Sequence, residues 1–158
     1  MASKLPTFPR TVFTIIEPLS TAAGYLGPLL APASFVSSQS PFEPPHPLYL
    51  TEHVLALQLG NCYGLLALLG LFILNTTDEL KTVRAYLLAL WIADIGHIVV
   101  TLWGLGADGW SVSSWNGMAW GNVGFTALLF AVRSIYFLGL FGGDDDDDDE
   151  KAEKVKKV

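Results

Sequence analysis

Charge is scarce in this chain, and half of it lies at one end. Charged residues make up 15 % of the 158, against about a quarter in a typical soluble domain. Residues 1–143 hold 5 Lys/Arg and 7 Asp/Glu, a net of −2. The tail, 144–158, holds 4 Lys and 8 Asp/Glu, a net of −4. The acidic balance therefore belongs to the tail, and no basic patch exists to hold nucleic acid. Cysteine is equally sparse: Cys62 stands alone, so no intrachain disulfide can form. With one Cys and three scattered His, no zinc spacing arises, and neither a metal nor a cofactor is expected. A Gly-rich phosphate loop and a Ser-centred nucleophile elbow are also missing.

What remains is apolar. Hydrophobic residues reach 51 %, and the mean hydropathy is +0.43. A helical membrane span needs about 20 mostly apolar residues. Four runs meet that length, at roughly 11–31, 53–75, 82–104 and 118–141. The expected fold is an all-α, four-helix transmembrane bundle over 1–143, followed by a disordered acidic and Lys-rich tail. A soluble helical bundle is the alternative, but its helices would need continuous polar outer faces. A second alternative makes the first run a signal peptide, cleaved after Ala31-Pro32-Ala33; Glu17, Pro18 and the length oppose it. The Pro- and Ser-rich stretch between the first two runs reads as an extended loop.

Positive residues set orientation. Lys4 and Arg10 precede the first run, Lys81 and Arg84 separate the second and third, and four Lys follow the last. The 32–52 and 105–117 loops carry none. Both termini are therefore expected in the cytosol, with Trp103, Trp110, Trp115 and Trp120 at the opposite interface. The end KVKKV, with Lys154 and Lys156, resembles a dilysine retrieval signal read by a coat complex, which implies the endoplasmic reticulum. In this topology the acceptor triplet Asn75-Thr76-Thr77 faces the cytosol and stays unmodified.

Small residues let membrane helices approach closely. Three such ridges are expected: Gly60, Gly64 and Ala67; Ala85, Ala89, Ala93 and Gly96; Gly117, Gly121 and Gly124. Pro18 and Pro28 should kink the first helix.

The polar residues inside these runs carry the functional reading, because ionisable groups in a membrane interior are costly and usually have a task. Asp94 and His97 lie about 60° apart on the third helix. Gln58 and Asn61 repeat the spacing on the second, and Asn122, Thr126 and Arg133 share a face of the fourth. Glu17 and Arg133 fall at one depth and are expected to form a structural ion pair. Asp94, paired with His97, is expected to be a proton donor in an internal polar pocket, with Glu17 as a further candidate. Gln58, Asn61, Asn122, Trp91, Tyr63 and Tyr25 are expected to line that pocket.

The motifs IEP at Glu17, LQLGN at Gln58 and Asn61, WxADIGH at 91–97, and WGN followed by RxxY ending at Tyr136 are shared. Through them, residues 8–142 resemble a family of small fungal integral membrane proteins filed as a domain of unknown function. The resemblance implies the fold and the membrane placement, not an activity. Membrane sterol isomerases and small fungal terpene cyclases also set carboxylates in apolar helical pockets; that similarity is of kind, since their motifs are absent. The expected function is binding of a lipophilic sterol- or terpenoid-like molecule, with acid-base isomerisation or cyclisation as the chemistry such a pocket would support. The rival is a non-catalytic membrane scaffold, with a membrane-protein partner or a second copy of the chain. A proton-coupled transporter is disfavoured by the lack of internal repeats.

Overall fold

The computed structural model describes residues 4–44, 46–77 and 79–142, and all regular structure among them is helical. The acidic tail with Lys154 and Lys156 lies outside the described residues. In chain order the helices are α1 (Thr7–Thr11), α2 (Glu17–Leu30), α3 (Pro32–Ser37), α4 (Leu50–Thr76), α5 (Leu80–Leu105), α6 (Gly117–Ala119) and α7 (Thr126–Phe137). A π-helical turn at Val12–Ile16 joins α1 to α2, and another at Trp120–Phe125 joins α6 to α7. Three stretches are long and apolar enough to cross a membrane: Leu50–Thr76, Leu80–Trp110 and Gly117–Phe137.

The first run is helical from 7 to 30 without a break, but Glu17, two prolines and several small polar residues keep it out of that set. Pro18 cannot donate to residue 14, and its ring crowds that turn. The π turn ends just before it and opens the helix where the proline needs room. Ser20 Oγ and Thr21 Oγ1 donate to the Glu17 carbonyl at 2.8 and 3.0 Å, so the carbonyl beside the proline is satisfied.

The most extensive helix contact is between α2 and α4. It runs antiparallel, with Pro18 beside Gly70, Tyr25 against Gly64 and Pro28 against Gly60. A Cβ at Gly60 would stand 2.6 Å from Pro28 Cγ, and one at Gly64 3.0 Å from the Tyr25 ring. Glycine there permits a separation that any larger residue would prevent. The other two expected ridges do not pack this way. Ala85, Ala89, Ala93 and Gly96 are all exposed, and a Cβ on Gly96, Gly117 or Gly121 would meet nothing within 4 Å. On α5 the inward face belongs instead to Val83, Leu87 and Asp94.

The helices thus form two pairs, α2 with α4 and α5 with α7. α4 and α5 follow each other closely in the chain yet are not packed along their lengths. The pairs join at one end through a core of Leu5, Val12, Phe13, Leu74, Val83, Leu87, Leu129, Val132 and Tyr136. At the other end they part. That end carries residues 38–44 and 46–49 and the turns at Gly106–Trp110 and Val112–Ser114. The expected extended loop begins with a helix, α3, because Pro32 sits favourably in a first helical turn and Phe35 is buried against Gly27. Gly106 ends α5 with φ 69°, a left-handed value that glycine adopts without strain.

Candidate functional site

Two polar clusters occupy the two ends. At the joined end, Arg133 from α7 has no exposed surface. Its Nη1 donates to Asp94 Oδ2 on α5 at 2.5 Å, and its Nη2 donates to Glu17 Oε1 on α2. The guanidinium lies 5.3 Å from the Phe13 ring centroid. The structure therefore brings Glu17 and Arg133 together and adds Asp94 to them. Three helices are tied through one cation that cannot be deprotonated at ordinary pH. Each carboxylate is held by a charge-assisted bond, an arrangement that suits joining the three helices.

Asp94 therefore does not pair with His97. The two share a face of α5, but one helical turn separates them, and that rise carries His97 out of the core. The His97 ring is half-buried and meets the main chain of Asn122. It lines a cleft of about 490 Å³ between the parted helix pairs, within the ~300–1,000 Å³ usual for small-molecule sites.

Leu59 and Tyr63 of α4 form one wall, and His97, Val100, Thr101, Gly104 and Leu105 of α5 the other. Asn122 closes the back, and Val36, Ser37, Gln39, Ser40, Glu43, Pro44 and His46 roof it with Glu52. Tyr63 lies roughly 20 Å along α4 from its first residue, so the cleft reaches from the loops toward mid-helix.

Local bonds hold the roof. The Tyr49 N–H donates to Glu52 Oε2 at 2.9 Å, capping α4, and His46 Nε2 stands 3.6 Å from Glu52 Oε1. Asn116 Oδ1 accepts from the Ala119 N–H at 2.8 Å, and its Nδ2 donates to the Ser38 carbonyl at 2.9 Å. Asn122 Nδ2 donates to Gln39 Oε1 at 3.2 Å. The start of the last helical run is thereby fastened to the segment after α3. No Lys or Arg lines the cleft, while Glu43 and Glu52 do.

Of the expected pocket residues, Tyr63, Asn122 and His97 meet here. Gln58 and Asn61 do not: both are exposed on the outer face of α4. The physical reason is the glycine ridge, which claims the opposite side of that helix for α2. Tyr25 is also outside the cleft, exposed and laid over Gly64. Trp91 is engaged elsewhere, donating from Nε1 to Ser134 Oγ at 2.8 Å and stacking on Phe130 at 5.3 Å. Gln39 and Glu43 carry no signal in the sequence that places them at a site, because loop residues have no periodicity to follow. Glu52 lies in the first turn of α4, and Thr101 follows His97 by one helical turn on α5, a spacing that could have found it.

No curated protein and no solved structure matches the chain. A family model described as a domain of unknown function, DUF7704, matches residues 2–143. With nearly all of its apolar body matched, the chain belongs to the DUF7704 family.

Proposed function

We propose that this chain binds a lipophilic molecule bearing a neutral polar group, such as a sterol or terpenoid alcohol, in the cleft between α4 and α5. One observation carries the reading. Apolar walls from Leu59, Val100 and Leu105 converge on Tyr63, His97 and Asn122, so a greasy body and one hydroxyl or keto group can both be satisfied. Glu43 and Glu52 at the mouth, with no Lys or Arg among the described residues that line it, disfavour an acidic headgroup. Because α4 and α5 are not packed together, a ligand dissolved in the bilayer can reach the cleft sideways.

In this reading the 7–30 rod is a fourth span, a reading supported by its antiparallel packing along α4 from Pro18 to Pro28. Both termini face the cytosol, and the cleft opens toward the lumen of the endoplasmic reticulum. If the bound molecule is isomerised or cyclised, His97 is the group available to move a proton, because Arg133 occupies the carboxylates of Asp94 and Glu17. Binding without turnover, as in a scaffold that stores or presents a lipid, uses the same cleft.

A sterol alcohol carrying a diazirine tests this on the detergent-purified chain. Photolabelling should fall on segments 36–46 and 97–105, and His97→Leu with Tyr63→Phe should weaken it about tenfold, the worth of one or two hydrogen bonds. Labelling confined to the outer faces of α4 and α5, indifferent to both substitutions, would reject the cleft as a binding site.

A further inference from the structure

Outward on α4, about a third of a turn from the glycine ridge, lie Val54, Gln58, Asn61, Leu65, Leu68 and Phe72, and every one is exposed. Their spacing alternates four and three residues along an unbroken α-helix. That is the seam of a left-handed coiled coil, in which such positions meet a partner helix. Two consecutive seam positions are amides.

Both amides lie deep in the helix. Asn61 is roughly 16 Å along the axis from Leu50 and Gln58 roughly 12 Å, while the hydrocarbon core is about 30 Å thick. Asparagine is too short to reach the interface from there. A side-chain amide left unbonded in hydrocarbon costs several kcal/mol, and membrane helices normally satisfy such groups on one another. Neither amide donates or accepts in any side-chain bond among the described residues. The surrounding Val54, Leu65, Leu68 and Phe72 are 47–63 % exposed, so none of the described residues covers them.

We propose that a second copy of this chain covers this seam, with two parallel α4 helices joined across a two-fold axis along the membrane normal. Three features select a copy over another partner. All copies insert with one orientation, so identical α4 helices are already parallel and in register. A two-fold axis brings each seam residue opposite itself, and an amide is complementary to itself because it carries both donor and acceptor. The seam also lacks charge, so no oppositely charged partner is called for. A single polar residue at such a position fixes register and strand number; here two adjacent ones do so. The cleft lies on a different side of α4, and the pairing leaves it open.

Cysteine cross-linking in native membranes tests the seam with the amides intact. In a full-length Cys62→Ser background, Leu65→Cys and Leu68→Cys should give a disulfide-linked species of twice the chain mass on mild oxidation. Ile92→Cys, on the exposed face of α5, should give little. Separately, Gln58→Leu combined with Asn61→Leu should weaken association about tenfold in energy-transfer measurements on phosphatidylcholine vesicles, and Asn61→Gln should keep most of it. Equal cross-linking at all three positions, a cross-linked species of a mass that is not twice the chain, or association unchanged by loss of both amides would overturn the proposal.

Discussion

Arg133 has no exposed surface, and its guanidinium meets carboxylates from two other helices. Removing it strands Glu17 and Asp94 in a poorly solvated interior. Arg133→Gln should therefore destabilise the fold by about 3–5 kcal/mol, read as a lowered melting temperature of the purified protein. The triple change Glu17→Gln, Asp94→Asn, Arg133→Met removes all three charges together and should recover much of that loss, because desolvation offsets much of what a buried ion cluster gains. If the triple variant melts no higher than Arg133→Gln, the cluster does more than hold helices together. Depth matching was enough to relate Glu17 to Arg133 in the sequence, since two opposite charges at one level have few other outlets. The engagement of Asp94 was not legible. On α5 the small residues and the Asp94–His97 pair mark different sides of the helix, and one turn of rise decides whether a residue meets Arg133 or the cleft.

Helix faces repeat this lesson at the scale of elements. The ridge of Gly60, Gly64 and Ala67 was readable, and it packs on α2. The same wheel sets Gln58 about half a circle from Ala67, so small residues and amides could not both face inward. In a membrane protein small residues fix the inner face when packing is what drives association. Gly60→Leu should disrupt the α2–α4 contact, because even the Cβ would stand 2.6 Å from Pro28 Cγ, and overpacking of this kind costs about 1–3 kcal/mol. Gly96→Ala is the control. Its Cβ would meet nothing within 4 Å, and a helical Gly→Ala exchange gains up to about 1 kcal/mol. Thermal unfolding of the two variants should move in opposite directions; similar losses in both would mean that the ridge on α5 also packs.

For the whole molecule, the asymmetry between the two ends is the organising feature. Arg10, Lys81 and Arg84 lie toward the joined end, beside Val12, Phe13 and Val83 of the core. Trp103, Trp110 and Trp120, all more than half exposed, lie at the parted end with the cleft. Cations at one end and exposed tryptophans at the other are what a chain inserted by the positive-inside rule presents. This pattern supports the proposed orientation, with the joined end in the cytosol and the mouth of the cleft toward the lumen. Two glycan acceptors give the measurement. Asn75 lies at the joined end and is exposed, with its Nδ2 donating to the Leu71 carbonyl at 2.7 Å. Ser111→Asn, at the parted end, creates an acceptor with Ser113 two residues on. After expression in a eukaryotic cell, Ser111→Asn should add an endoglycosidase-sensitive shift that the unaltered chain lacks, and the further change Asn75→Gln should leave that shift intact. A glycan on Asn75 in the unaltered chain would turn the molecule over. The cleft would then face the cytosol, a Lys-rich tail on the lumenal side could not be read by a cytosolic coat, and the bound molecule would have to be supplied from the opposite leaflet.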